Sequence, residues 1–397
     1  MPFTEYISAI TEKIFSEITE LRRDIHKHPE LSFKEFGTAL KIEEFLNSNC
    51  IKNIRVAETG VLAIIDGKNP APENPVILRA DTDALKIQEE TGLDFASVYD
   101  GIMHACGHDI HTACLAGSLK VLNSMKDKFN GTVWGLFQPG EEYLPGGASL
   151  VLKEEIFRTV KPKVVIGQHV TPEFEAGKFG FREGTYMASS DEIRITVSGT
   201  GGHGGLPHML TDPVVAAAQM IVSLQQIVSR NADASIPTVL SFGRFIADGA
   251  TNIIPSTVEI AGTLRTLDEE WRKHVKQRIV EICNGTAEAF NVKAEVKIGD
   301  GYPCVVNDPD VTGILRREAI EIVGKENIVD LGLRMTSEDF GFYSQKYLSV
   351  FYRLGSGFSD GTEPGSPHTS SFIVNEESIP YGIKLMASAA LKFLEIR

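Results

Sequence analysis

DEIRITVSG (191–199) reads as a strand, and the elements after it decide the architecture. They are a helix in DPVVAAAQMIVSLQQIVS (212–229), strands in TVLSFGRFIA (238–247) and TVEIAGTLRT (257–266), a helix in EEWRKHVKQRIVEICNGTAEAF (269–290) and a strand in VKAEVKIG (292–299). That order, β-α-β-β-α-β, is the ferredoxin-like unit, and it can bury a core of its own. The expectation is an inserted α+β domain over residues 185–299.

Outward from this insert the pattern differs. Before it, Ile7, Ile10, Ile14, Ile18 and Leu21 carry helical spacing up to Pro29, and a second helix is expected over about 35–46. The short apolar runs VLAIID (61–66) and PVILRAD (75–81) read as buried strands, with a helix over about 112–125. GTVWGLF (131–137), ASLVLKEEI (148–156) and KVVIGQHV (163–170) continue the alternation. After residue 302, helices are expected near 311–323 and 338–344, then the strand SVFYRLG (349–355) and a closing helix near 380–395. Strands alternating with helices indicate an α/β layer with a mostly parallel mixed sheet. The expected domains are therefore 1–184 joined with 300–397, and 185–299.

Bulk properties agree with two globular domains. A chain of 397 residues exceeds the size at which one core keeps growing. Hydrophobic content of 42% and charged content of 23% supply ordinary cores and surfaces. A net charge of −14 with no basic block argues against nucleic acid as a partner. Five scattered cysteines fit a reducing compartment rather than a disulfide framework. The first thirty residues carry no basic segment followed by an apolar run, and no later stretch has the length of a membrane span. A cytoplasmic protein with no membrane partner is the expectation.

The chemistry concentrates in HACGHDIHT (104–112). Cys106 and His108, one residue apart, can point the same way in an extended loop, and both atom types ligate transition metals. Glu141 and Glu142 in FQPGEEYLPGG (137–147) follow a strand, at the carboxyl end where α/β sheets place their sites. One can bind a metal while the other serves as general base with a raised pKa. His169 ends KVVIGQH, and His368 sits in EPGSPHTSS (363–371). Singly, each is an ordinary polar residue. Together, Cys106, His108, Glu142, His169 and His368 are enough ligands for two metal ions sharing a bridge. In the insert, the glycines of GTGGHGGLPH (199–208) leave His203 unshielded, while Asn252 and Arg265 are candidates to bind an oxyanion and a carboxylate.

These segments, with RRDIHKHPELSFKE (22–35) and NIIPSTVEIAGTLRT (252–266), resemble the M20 metallopeptidase family in its aminoacylase-like branch, in order and over nearly the whole chain. The branch includes N-acyl-amino-acid deacylases, hippurate hydrolases and auxin-conjugate hydrolases. The resemblance implies a catalytic domain with two divalent metals, Zn, Mn, Co or Ni, and an insert that mediates dimer formation. It also implies that Cys106 bridges or adjoins both metals and that His108, Glu142, His169 and His368 complete the coordination. By the same pattern Glu141 is the base and His203 reaches the neighbouring subunit's site to stabilise the oxyanion. Asn252 and Arg265 then hold substrate. Lys86, Gly140, Thr369 and Ser370 depart from the branch beside the site and bear on substrate preference.

The resulting expectation is hydrolysis of a small N-acyl amino acid by a homodimer, releasing a carboxylic acid and a free amino acid. A carboxypeptidase or dipeptidase is the rival within the hydrolases. A thiol mechanism with Cys106 as nucleophile and His104, His108 or His111 as its base leaves the glutamates, His169 and His368 without a role. A catalytically silent dimeric scaffold is the alternative outside enzymology.

Overall fold

The apolar runs become strands because both faces of a large sheet are covered. The computed structural model describes residues 3–395; residues 1–2 and 396–397, at the ends of the expected catalytic domain, lie outside the described residues. In chain order the first strands are β1 (Lys52–Val56), β2 (Gly60–Asp66), β3 (Val76–Asp81), β4 (Thr132–Gln138), β5 (Val164–Glu175) and β6 (Phe179–Phe181). They join Ile328–Asp330 and Ser349–Gly357 in an eight-stranded sheet. Its order is β1, β2, β4, β3, β5, Ser349–Gly357, β6, Ile328–Asp330. The middle pairs, β4 with β3, β3 with β5 and β5 with Ser349–Gly357, are parallel, while β1–β2 and β2–β4 are antiparallel. This is an α/β architecture with a mixed sheet. Every residue of β3 and β4 is buried, as expected of central parallel strands.

Helices α1 (Phe3–Lys27), α3 (His108–Ser124) and Ser378–Glu395 pack against one another and share a core with the sheet. The face of α1 that carries Ile7, Ile14, Ile18 and Ile25 is buried, following the helical period. Helix α2 spans Phe36–Ser48.

Three local expectations change. Helix α3 begins at His108 rather than near residue 112, because Gly107 turns the chain at φ 85 and the helix follows at once. A side chain at Gly107 would place its Cβ 2.4 Å from Val170 Cγ2, so the turn requires glycine. Strand β5 runs to Glu175, which puts His169 inside the strand, not at its end. Only Gly341–Ser344 is helical in the stretch expected as a helix over 338–344.

By internal contacts the chain divides into two units. One comprises residues up to Gly184, Val306–Gly332 and Phe342 onward; the other comprises Thr185–Val305 and Leu333–Gly341. The second thus extends beyond 299 and takes a further short segment. Its sheet has four antiparallel strands in the order Thr238–Ile246, Thr257–Thr266, Asp191–Ser198, Lys293–Ile298. Helices Pro213–Gln226 and Glu269–Ala289 cover it with their own core of Ile193, Val197, Met220, Val275 and Ile279. The chain order is β-α-β-β-α-β. Asp212 and Asp268 cap the two helices through backbone N–H groups, at 2.8 Å from Val214 and 2.7 Å from Trp271. Buried Asp191 anchors Arg272 through two hydrogen bonds of 2.7 Å.

Candidate metal centre

Cys106, His108, Glu141, Glu142, His169 and His368 converge in the first unit. Cys106 Sγ lies 3.4 Å from His169 Nε2 and 3.3 Å from His368 Nε2. Glu142 Oε1 lies 3.1 Å from His368 Nε2 and 3.9 Å from His108 Nε2. Donor atoms of Cys106, His108 and His169 fall within 4.8 Å of one another, as do those of Cys106, Glu142 and His368, and of His108, Glu141 and Glu142. Cys106 is common to the first two groups and His108 to the first and third.

The spacing and the orphaned atoms test whether a cation fits. Ligands held about 2.0–2.3 Å from one ion stand roughly 3–4 Å from each other, which matches the separations here. His108 Nε2 and Glu142 Oε1 are buried and lack a hydrogen-bond partner among the described residues, although electronegative atoms surround them. Lone pairs gathered this way repel unless a positive charge sits among them. A thiol, imidazoles and a carboxylate suit borderline transition metals such as zinc. The residues fit divalent cations.

The tautomers are set from behind. His108 Nδ1 faces the Asp83 carbonyl at 3.0 Å and Asp83 Oδ1 at 3.2 Å, so a proton sits there and the neutral ring offers its lone pair at Nε2. His169 Nδ1 donates to the Val170 carbonyl at 2.7 Å, with the same result. Burial first, then the Arg353 charge, hold the His169 value well below the ordinary range, keeping it neutral as a ligand must be. Burial, then the Glu142 charge, push the Cys106 thiol up to about 12.

The histidines of 104–112 separate into three roles. His108 faces the donor cluster. His111 spends both nitrogens elsewhere: Nδ1 meets Asp81 Oδ1 at 2.5 Å and Nε2 accepts the Val170 N–H at 2.8 Å. It therefore ties Asp81, itself bonded to buried Arg79 at 2.6 Å, to the strand that carries His169. His104 is buried with neither nitrogen hydrogen-bonded among the described residues, and burial pushes it down to about 3. Asp81 and Asp83 are supporting residues that sequence reasoning missed, and His111, considered there only as a base for a thiol mechanism, is a third. The D-x-D of RADTD (79–83), running off a buried strand end, was the available signal.

The candidates of the second unit lie apart from these in the chain. Gly202–His203 pairs with Ile253–Ile254 in a two-stranded ribbon, and the Gly204 N–H donates to the Asn252 carbonyl at 2.9 Å. His203 and Asn252 are thus neighbours, both exposed. The His203 Nδ1 accepts the Gly205 N–H at 3.0 Å, which fixes the proton on Nε2. Arg265 is half-buried on Thr257–Thr266, donates to the Met335 carbonyl at 3.1 Å and is lowered by burial.

A model of peptidase family M20/M25/M40 matches residues 77–392. The chain belongs to this family. An N-acetylcysteine deacetylase of Bacillus subtilis (strain 168) is 37% identical over 97% of this chain and 99% of the relative. An IAA-amino acid hydrolase of Arabidopsis thaliana is 37% identical over 96% of this chain and 88% of its own. Among solved structures, a dinuclear metal-binding peptidase of the M20 family from Bacillus subtilis superposes with a TM-score of 0.81 at 34% identity. That superposition covers 97% of this chain and 99% of the other. Within this M20 chain Cys106 and His108 lie in the connection after β3 and at the start of α3, Glu141 and Glu142 follow β4, and His169 lies within β5. No described helix is long and apolar enough to cross a membrane.

Proposed function

We propose that this protein hydrolyses the amide bond of small N-acyl amino acids, releasing a carboxylic acid and a free amino acid. The observation that carries the reading is the double donor cluster sharing Cys106, with the buried carboxylate of Glu141 beside it. Relatives with a deacetylase and an amino-acid-conjugate hydrolase among them support the substrate class.

Cys106, His108, Glu142, His169 and His368 would hold two divalent metals, Zn, Mn, Co or Ni. When bound, the pair supplies Lewis acidity, polarising the amide carbonyl and lowering the pKa of water in the site. Glu141 takes the proton from the attacking water and returns it to the leaving amine, so one carboxylate serves both half-reactions. Asp83 and Val170 keep the ligand histidines in one tautomer through the cycle. His203, donating from Nε2, stabilises the oxyanion in the partner subunit of a homodimer; Asn252 assists it, and Arg265 takes the substrate carboxylate. Residues 185–299 serve as the dimerisation domain, and the enzyme works in the cytoplasm.

A panel of acetyl- and benzoyl-amino acids, run against dipeptides with each of the four metals, tests this. Faster turnover of the acyl-amino acids is expected. Faster dipeptide turnover would make the enzyme a dipeptidase instead.

A further inference from the structure

Glu35 is among the fully buried carboxyls that the mechanism leaves unused. Glu35, just before α2, accepts the Gly140 N–H on Oε1 at 2.8 Å and the Thr59 hydroxyl on Oε2 at 2.7 Å. Gly140 immediately precedes Glu141. The ring of Phe33 lies against it: a Cβ on residue 140 would sit 2.2 Å from Phe33 Cε1. Two residues further along, the Glu142 N–H donates to Asp83 Oδ2 at 2.9 Å, and that same oxygen accepts the Ser32 hydroxyl at 2.6 Å.

One short segment, 32–35, therefore grips both the turn that carries the two glutamates and the carboxylate that orients His108. The segment is itself fixed, since the Ala84 N–H donates to the Glu30 carbonyl at 2.8 Å. Burial first, then the Asp83 charge, push Glu35 up to about 7, so its place in the core carries a desolvation penalty that a smaller apolar residue would avoid.

We propose that Glu35 is a positioning residue, which fixes the Gly140 backbone so that Glu141 and Glu142 leave the turn facing His108, Cys106 and His368. This rests on the reading of Glu141 as base and Glu142 as metal ligand. A side chain acting behind the ligands changes metal affinity as well as rate, typically by about 10–100-fold.

The test titrates metal-free protein with Co²⁺ and measures kcat and KM on an N-acyl amino acid. Glu35→Ala should weaken the weaker Co²⁺ step about tenfold or more and lower kcat with KM nearly unchanged. Glu35→Gln retains an oxygen for the Gly140 N–H and should restore both to within about threefold. Wild-type Co²⁺ affinity in Glu35→Ala overturns the proposal, and so does a Glu35→Gln protein, folded by circular dichroism, as impaired as the alanine variant. Should Glu35→Ala not fold, Thr59→Val decides: Co²⁺ binding weaker by about threefold supports the proposal, and wild-type binding overturns it. The two readings fail separately. Full turnover in Glu141→Gln removes the base assignment, whereas an inactive Glu141→Gln beside an unimpaired Glu35→Ala removes only the positioning role.

Discussion

The donor cluster and the His203 ribbon are built on opposite structural terms. Around Cys106 two of the imidazoles are locked from behind, His108 by Asp83 and His169 by Val170, and His108, His169 and Glu141 are buried, while His368 is exposed. His203 and Asn252 stand exposed on a ribbon two residues long on each side, among glycines. Buried, mutually braced groups are preorganised by their own unit, and they cost stability when nothing compensates their charge. An exposed histidine costs its fold almost nothing and gains chemical power only when another surface removes water from it. Substitutions of the metal donors in the first region should therefore disturb stability and metal binding together, and those in the second should disturb rate alone.

The largest expected effect is that of Glu141→Gln. Loss of the base should lower kcat by roughly 10³-fold or more while two metals per chain remain bound, because glutamine keeps the volume and not the basicity. Metal analysis and steady-state rates on the same sample measure both quantities. Lost metal would place Glu141 among the ligands.

Next comes His203→Ala, expected to cost about 10²–10³ in kcat with the thermal midpoint unchanged. A large fall in midpoint would erase the contrast, since it would show the ribbon to be braced like the cluster. Mixing this variant with inactive Glu141→Gln protein should regenerate activity if each histidine serves the partner's site.

A third prediction sets the two units against each other in pH. Glu35 in the first has a folded value raised from 4.5 to about 7, so its contribution to stability is present below about pH 4.5 and is lost as the pH rises through 7. A displacement of that size corresponds to a loss on the order of 3 kcal/mol. In the second unit burial works against ionised Asp191, yet hydrogen bonds from Arg272 and Lys276 outweigh it and lower its value. That contribution is present above the ordinary carboxylate value of 3.8 and is lost only as the pH falls through the lowered one. Urea unfolding of chelated protein should show Glu35→Gln gaining on wild type between pH 5 and pH 8, and Asp191→Asn approaching wild type only in acid. A pH-independent gap for Glu35→Gln would show that the carboxyl is not raised.

How much of this was legible beforehand depends on how local each signal is. The runs at 61–66 and 75–81 announced buried strands because hydrophobic period is a property of neighbours in the chain. Cys106 and His108 stood out for the same reason. The start of α3 was misplaced because Gly107 acts through a left-handed turn packed against Val170, a residue far along the chain. Glu35 gave no signal: its partner Gly140 lies 105 residues away, and a glutamate before a helix ordinarily reads as a solvated end. Asp83 and the supporting role of His111 were hidden likewise, since supporting groups are defined by what they touch.

The smallest expected effect concerns Gly140, where the aminoacylase-like branch more often has alanine. Residue 140 adopts φ 60, and a Cβ there would overlap the ring of Phe33, a residue that itself stands at φ 63. Alanine in the left-handed region costs about 1 kcal/mol, and displacing the ring adds an amount of the same order. Gly140→Ala should thus lose about 2 kcal/mol, read from urea midpoints. The two contributions separate in the double variant: against a Phe33→Ala background the steric part vanishes and only the backbone part remains, so the cost of Gly140→Ala should fall by about half. An undiminished cost would mean that the ring yields freely, and that Gly140 is required for its backbone conformation alone.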